Sequence, residues 1–337
     1  MIRFIILNIL FISVTWAEHN ASVEEENWAD SYHRFFTHKL HTFSYHLDEK
    51  LSSYDYLFET NATRINHKHG TPESESEPQI NDWFSSFFKD DIFDEVYTKS
   101  YALWKNTLKY DYKAKKFKPY TSFKASLALP KTRNRVNLYI ENEDEEEKRR
   151  RSGYRDMTEG SIGLRYTLPV KNHIHSFASV GIHSYDNPYL LTHFWLPYDI
   201  GRWRNRVSQS FKYSNEYHFE EETNFYFDRF TDDDAMFRIH LGRNTKQEID
   251  GMGYYSTLSY NKTTKFNKGY QIGVSTWGQT QPENEIIKYS LYGVYKQNIY
   301  RKWLYYEVEP RVEWEKQYDF DANYILYVSI EIFFGFE

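Results

Sequence analysis

The last fifteen residues of the chain alternate between apolar and polar side chains. Successive side chains of a β-strand point to opposite faces, so this period of two predicts a strand with one apolar and one polar face. The polar face carries Ser329 and Glu331, together with Tyr327 and Phe333. The apolar face carries Leu326, Val328, Ile330, Ile332, Phe334 and Phe336.

The segment before it repeats the pattern with more charge. Its apolar row is Leu304, Tyr306, Val308, Pro310, Val312 and Trp314, and its other row is Tyr305, Glu307, Glu309, Arg311, Glu313 and Glu315. Such a strand needs apolar surroundings on one side and water or ion pairs on the other. The wall of a transmembrane β-barrel supplies both. Two further apolar sets, within 162–168 and 287–295, are predicted to face outward in the same way.

The same period defines an all-β fold, a transmembrane antiparallel β-barrel over residues 99–337. Fourteen strands are predicted, with twelve or sixteen as alternatives because strand boundaries from sequence err by about two to four residues. The strands are predicted near 100–112, 116–129, 134–142, 159–169, 174–184, 190–199, 203–214, 216–229, 235–243, 252–262, 268–278, 284–297, 303–315 and 322–336.

The connections fit a barrel with both termini in the periplasm. Such barrels have short periplasmic turns and longer external loops. The second, fourth and sixth connections, at 130–133, 170–173 and 200–202, are short. The third, at 143–158, is long and carries the run Glu-Asp-Glu-Glu-Glu-Lys-Arg-Arg-Arg, so we expect it outside the cell.

The first 98 residues have a different organisation. Residues 1–17 have the layout of a signal peptide, with Arg3, an apolar run and small residues before a cleavage site after Ala17. Residues 18–98 form a helical, low-complexity periplasmic region. Within it, apolar residues recur at helical spacing over 28–51, the stretch at 73–78 is an acidic linker, and a second short helix follows. Three roles are considered for these helices: they form a periplasmic plug, provide a surface for a partner, or lie on the inner leaflet.

Composition and motifs narrow the function. The net charge of −6 leaves no basic footprint for nucleic acid, and a mean hydropathy of −0.78 excludes a bundle of transmembrane helices. Cysteine is absent, so there is no disulfide framework. No catalytic, cofactor or phosphate-binding motif occurs, and nothing in the sequence pairs His240 with Ser275. His38 and His41 lie one turn apart, so a metal site is geometrically possible, but no carboxylate–His signature fixes one and a polar helix face is favoured. We therefore expect no enzyme, no cofactor and no metal.

The charged inward row is the candidate site. It is predicted to line the lumen, either as an ion-pair network that closes the barrel or as a pore lining that selects ions or small solutes. Its predicted members are Glu307, Glu309, Arg311, Glu313, Glu315, Glu331, Arg165, Arg206, Lys212, Arg238 and Lys288.

Several short stretches carry a resemblance to a known group of proteins. They are Leu-Pro-Lys-Thr at 129–132 leading into 134–138, Trp-Leu-Tyr-Tyr-Glu-Val-Glu-Pro at 303–310, Asp-Phe-Asp at 319–321 and Phe-Phe-Gly at 333–335. Over residues 81–337 the chain resembles a poorly characterised proteobacterial outer-membrane β-barrel family. Members of that family have a signal peptide, a short helical lead and a barrel. The resemblance implies no activity.

The function expected from the sequence is a porin-like channel in the outer membrane of a Gram-negative bacterium. The alternatives are a closed structural or interaction barrel with a periplasmic helical plug or partner-binding segment, and an outer-membrane enzyme. The expected partners are outer-membrane lipid, the barrel assembly machinery and a periplasmic partner bound through residues 18–98.

Overall fold

The structure is a computed structural model. It describes residues 27–52, 100–129, 135–142, 161–183, 187–216, 218–232, 234–264, 268–301 and 303–335. The predicted signal peptide, the linker at 73–78, the second short helix and the charged connection at 143–158 lie outside the described residues.

The described chain forms one α-helix, fourteen strands and a short 3-10 helix, Lys316–Tyr318, between the last two strands. The helix, α1, comprises Trp28–Ser52. The strands are β1 (Tyr101–Asp111), β2 (Lys116–Leu129), β3 (Val136–Asn142), β4 (Ser161–Thr167), β5 (His175–His183), β6 (Asn187–Ile200), β7 (Trp203–Ser214), β8 (His218–Asp232), β9 (Ala235–Lys246), β10 (Ile249–Thr264), β11 (Lys268–Gln279), β12 (Glu285–Tyr300), β13 (Leu304–Glu315) and β14 (Ala322–Phe334).

The fourteen strands form a closed antiparallel barrel. Each strand pairs with its neighbours in the sequence, and β1 pairs with β14 to complete the ring. This last ladder runs from Ala102 opposite Phe334 to Asp111 opposite Ile325. Closure leaves no edge strand with unpaired backbone groups, which is the condition for a sheet in a membrane. The prediction of an antiparallel barrel with fourteen strands is confirmed.

Tight turns join most of the strands. Asn172 and His173 both have positive φ in the β4–β5 turn, and Gly201 has a φ of 60° in the β6–β7 turn. Positive φ at central turn positions matches the twist of paired strands, so it favours two-residue hairpins. The connections predicted to be external are also mostly short, for example 112–115 and 247–248. Loop length therefore distinguishes the two rims mainly through the connection at 143–160.

The barrel places its apolar side chains outside and its polar side chains inside. Lys105, Glu220, Glu331 and Ser329 are at most 2% exposed. In the middle of the wall, many apolar side chains are at least 39% exposed. They include Leu164, Val180, Leu190, Leu241, Leu258, Ile272, Val274, Leu291 and Leu326. A water-soluble protein has the opposite arrangement, because apolar surface is stabilised by leaving water. The outer wall is therefore a surface suited to lipid.

Aromatic side chains concentrate at one rim of this apolar wall. The exposed ones beside the β1–β2, β7–β8 and β13–β14 connections are Tyr112, Phe117, Tyr213, Phe219, Tyr318 and Tyr324. Girdles of aromatic residues mark the membrane interfaces of transmembrane barrels. The predicted outward sets within 162–168 and 287–295 agree with this wall, since Ile162, Leu164, Tyr289 and Leu291 are exposed.

Helix α1 lies at the opposite rim, against β2 and β14. Asn27 caps it, with its side-chain oxygen accepting from the backbone N–H groups of Ala29 and Asp30 at 2.9 and 3.1 Å. Among the described residues, no helix combines the length and the apolar character needed to cross a membrane.

Candidate functional site: the charged interior of the barrel

The first group of inward side chains spans β1, β12, β13 and β14, and we call it the glutamate sector. At its centre, Lys105 Nζ lies 2.8 Å from Glu307 Oε1 and 3.1 Å from Glu331 Oε1. Lys296 Nζ lies 2.6 Å from the other carboxylate oxygen of Glu331. Each of these charges is buried and has an opposite charge beside it. Pairing of this kind offsets the large cost of removing charges from water.

The rest of the glutamate sector continues along β13. Arg311 donates from Nε to Glu309 at 2.8 Å and from Nη1 to Glu313 at 3.4 Å. Lys288 lies 2.8 Å from Glu313 and 3.2 Å from Glu315. Alternate residues on a strand are about 7 Å apart, so the carboxylates of β13 would repel one another without these cations. Cations from β12, from β1 and from β13 itself balance the acidic row.

The second group lies on β7, β8, β9 and β10, and we call it the histidine sector. Arg238 makes a bidentate pair with Asp228, with nitrogen–oxygen distances of 2.7 and 2.8 Å. The ring of Tyr226 stacks on His240 with centroids 4.0 Å apart, and the guanidinium of Arg206 lies 4.6 Å from the Tyr226 centroid. A cation over an aromatic face is attracted by the ring, which orders this layer.

Hydrogen bonds link the histidine sector across strands. His240 Nε2 lies 2.9 Å from Asn224 Oδ1, and the hydroxyl of Tyr255 donates to Asn224 and also to Glu222. The ring of Tyr255 lies over Gly242, where a Cβ would be only 2.2 Å from Cζ of the ring, far closer than non-bonded atoms approach. Glycine at this position therefore makes room for the ring against the barrel wall.

Two further lysines of the inner wall share one carboxylate. Lys212 Nζ lies 3.4 Å from one oxygen of Glu220, and Lys246 Nζ lies 2.9 Å from the other. The carboxylate of Glu220 is 2% exposed. These two ion pairs connect strands β7, β8 and β9 at the rim opposite α1.

The third group, on β3 to β6, is aromatic. Tyr139, Phe177, Tyr189, Leu191 and Trp195 form one buried cluster. Arg165 lies over the ring of Phe177 at 4.1 Å and over that of Tyr139 at 5.3 Å. The hydroxyls of Tyr139 and Tyr189 are hydrogen-bonded. In this group the guanidinium of Arg165 rests on aromatic faces, whereas ion pairs organise the other two groups.

The structure places all eleven candidate residues on the inner face of the barrel. Those of β13, with Glu331 and Lys288, meet in the glutamate sector, and Arg206 and Arg238 meet in the histidine sector. Arg165 lies apart from both. Sequence reasoning missed Lys105, Lys296, Glu220, Glu222 and Asp228, which are equally part of the interior. The alternation in their own strands marks their faces, but only the pairing register shows which charges meet.

The interior brings together no catalytic arrangement around the two residues considered from sequence. Ser275 Oγ is 2.6 Å from Ser290 Oγ, whereas His240 is bonded to Asn224. Ser275 and His240 lie on the two sides of Thr257, so strand β10 separates them. Within the parts of the chain that the structure describes, no group of three potential metal ligands occurs. His38 and His41 are exposed on α1.

Comparisons with known proteins find similarity in fold alone. No family model matches the chain, and no curated protein has a matching sequence. An anion-selective porin from Comamonas acidovorans has 7% identity and a TM-score of 0.45, with 70% of this chain and 98% of that chain covered. OprB of Pseudomonas putida has 6% identity and a TM-score of 0.47, with 72% and 96% covered. The outer-membrane channel DcaP of Acinetobacter baumannii has 8% identity and a TM-score of 0.44, with 70% and 96% covered.

Proposed function

We propose that this protein is a porin-like channel of the bacterial outer membrane that conducts ions or small solutes. One observation carries the proposal: a closed barrel with a lipid-suited outer wall has an inner wall of charged side chains from most of its strands. Charge along a lumen lowers the barrier for hydrated ions, because fixed groups replace part of their hydration. The barrels of similar architecture include porins and an outer-membrane channel.

The interior also suggests what kind of channel this is. The glutamate sector contains five carboxylates and four cationic side chains, nearly all of them paired with one another. A balanced wall attracts cations less strongly than an unpaired ring of carboxylates does. We therefore propose a narrow channel with a modest preference for cations.

Planar bilayer recording tests this proposal directly. The purified, refolded protein should insert and produce discrete conductance steps in KCl. Reversal potentials across a salt gradient then give the selectivity. Glu309→Gln combined with Glu313→Gln should reduce the cation preference, whereas Glu221→Gln, whose carboxylate pairs with Arg243 on the outer wall, should leave it unchanged. A conducting parent whose selectivity ignores the double substitution would show that these carboxylates do not line the pathway.

A closed structural barrel is the second candidate. The observation that favours it is burial: Lys105 is 0% exposed and Glu331 is 1% exposed, so water has little access to the centre of the glutamate sector. In this case the ion pairs would hold the interior together and no conductance would be recorded. Correctly inserted protein that never conducts would overturn the channel and support this alternative.

We also propose that the chain belongs to the proteobacterial outer-membrane barrel family that residues 129–138 and 303–310 resemble. No enzymatic role is proposed. Fractionation of the native cells should recover the protein in the outer membrane in a heat-modifiable form. Recovery in the inner membrane would contradict both the location and the family.

A further inference from the structure

Helix α1 docks on the barrel through polar side chains. Thr37, Ser44 and Asp48 are at most 5% exposed, and they share one side of the helix with Asp30 and His33. These positions recur at steps of three and four residues, the spacing of one helix face. The apolar residues that predicted the helix lie mostly elsewhere on its surface. The docking face therefore combines fully buried polar side chains with the half-buried Leu40 and Leu47, whereas the aromatic residues lie elsewhere.

Contacts along its length hold the helix to the rim. Near its start, Asp30 accepts from the Tyr300 hydroxyl at 2.7 Å and from Arg301 Nη2 at 3.2 Å. Further along, Ser44 Oγ lies 2.9 Å from Ser100 Oγ and donates to the carbonyl of Ala128 at 2.7 Å.

The distance between these contacts shows the course of the helix. Asp30 and Ser44 are about 21 Å apart along a helix axis at 1.5 Å per residue. Their partners lie at the ends of β12 and β2, which are four strand spacings apart around the ring. Four spacings amount to about 19 Å. The two lengths agree, so α1 follows the rim of the wall past β13, β14 and β1.

A second face of α1 is aromatic and exposed. Trp28 is 72% exposed, Tyr32 62%, Phe35 53%, Phe36 53% and Phe43 55%. At 100° per residue these five side chains fall within about 100° of the helix circumference. Lys39 lies among them, with its Nζ 5.5 Å from the centroid of the Phe35 ring. A third face, on the side away from them, carries Arg34, His38 and His41 together with the exposed Tyr45, and we call it the basic face. Removing large aromatic side chains from water is favourable, so five of them together form a strong apolar surface.

The aromatic face continues the outer wall of the barrel. Phe36 contacts Phe334 at a centroid distance of 5.8 Å, and His33 stacks between Trp303 and Phe334 at 4.6 and 5.3 Å. Phe334 is the last residue of the apolar row of β14 that includes Leu326, on the lipid side of the strand. The exposed aromatic residues of α1 therefore extend the lipid-facing surface around the rim.

We propose that α1 is an interfacial helix that inserts its aromatic face into the leaflet surrounding this rim and keeps its basic face in water. A largely polar docking face, an aromatic face continuous with the lipid wall and a charged third face match the requirements of a helix lying in the plane of a membrane surface. The occupant of the aromatic face is phospholipid. The inference rests on the membrane location in the proposed function, and it is independent of whether the barrel conducts.

Spin labels on single cysteines test the inference in the full-length protein, which has no cysteine of its own. Phe35→Cys samples the aromatic face, His38→Cys is the matched control on the basic face, and Leu326→Cys reports on the lipid side of the barrel. The refolded variants are labelled in vesicles of phosphatidylethanolamine and phosphatidylglycerol. Collision rates with oxygen, which concentrates in lipid, and with a water-soluble nickel chelate are then measured.

Labels at 35 and 326 should collide mainly with oxygen, and the label at 38 mainly with nickel. If the labels at 35 and 38 both collided mainly with nickel while the label at 326 collided mainly with oxygen, the helix proposal would be wrong and the membrane barrel would still be supported. A label at 35 that neither reagent reaches would mean that protein covers this face, as a second copy or a partner would, and would also overturn it. Nickel access at 326 would contradict the membrane location itself.

Discussion

Removing the amino group of Lys105 is the most informative perturbation of the interior. This side chain is 0% exposed and lies between the carboxylates of Glu307 and Glu331 at 2.8 and 3.1 Å. At an effective dielectric constant of 20, Coulomb attraction at these distances amounts to roughly 5–6 kcal/mol for each pair, before the cost of desolvation is deducted. Lys105→Met would remove a buried cation that Glu307 and Glu331 share. Loss of one partner of a buried pair costs about 3–5 kcal/mol.

Lys288 offers a matched control for this substitution. It also lies between two carboxylates, Glu313 and Glu315, at 2.8 and 3.2 Å, but its side chain is 22% exposed. Water can solvate the carboxylates that Lys288→Met would leave behind, so we expect a cost nearer to the ~1 kcal/mol of an exposed pair.

Urea unfolding of the refolded protein in lipid vesicles, followed by tryptophan fluorescence, gives both free energies of unfolding. Lys105→Met should lower the free energy of unfolding by several times as much as Lys288→Met. Lys105→Met combined with Glu307→Gln should recover part of the loss, since one buried negative charge is then removed along with the positive one. Equal small costs for both lysines would refute the reasoning, because they would show that water reaches the centre of the glutamate sector.

Three further predictions test the wall, the packing and the rim. Ile330→Arg places a charge on the lipid face and should cost about 2–4 kcal/mol or block assembly. Ser329→Arg on the inner face should be far milder, and equal damage from both would contradict the barrel's orientation. Gly242→Ala should displace the ring of Tyr255 and lower the melting temperature, and an unchanged melting temperature would show that the ring does not rest on this glycine. Burial raises the pKa of Asp30, but hydrogen bonds from the Tyr300 hydroxyl, the Asn27 backbone and Arg301 outweigh it, so the pKa lies below 3.8. Docking of α1 should therefore hold above pH 4 and loosen as the pH falls through this lowered pKa. The mobility of a spin label at position 38 reports the loosening. Asp30→Asn should abolish this pH dependence.

The strands were predictable because lipid and lumen impose opposite chemistry on alternate residues. The bounds of β2 and β7 agree with the predicted ranges 116–129 and 203–214, and the other strands differ by a few residues at their ends. Strand ends are less regular in sequence because turns tolerate many residues. The eleven candidate residues could be assigned to the inner face by the same alternation.

The pairing inside the barrel was not predictable from the sequence. Lys105 and Glu307 are 202 residues apart, and they meet because β1, β14 and β13 are adjacent in one register. A shift of one residue in either ladder would separate them. The docking of α1 on the barrel was not predictable from the sequence either. Its aromatic stripe predicted a helix, but an apolar stripe does not reveal whether protein or lipid covers it.

Scanning β14 with single cysteines tests the central claim most directly, since the native chain has no cysteine. Each residue from 324 to 333 is replaced in turn, spin-labelled after refolding into vesicles, and examined for collision with oxygen and with a nickel chelate. The account requires a period of two, with oxygen favoured at even positions such as Leu326 and Ile330 and disfavoured at odd positions such as Tyr327 and Glu331. A profile without that period, or with the two faces exchanged, would contradict a barrel whose apolar wall faces lipid and whose charged wall faces the lumen.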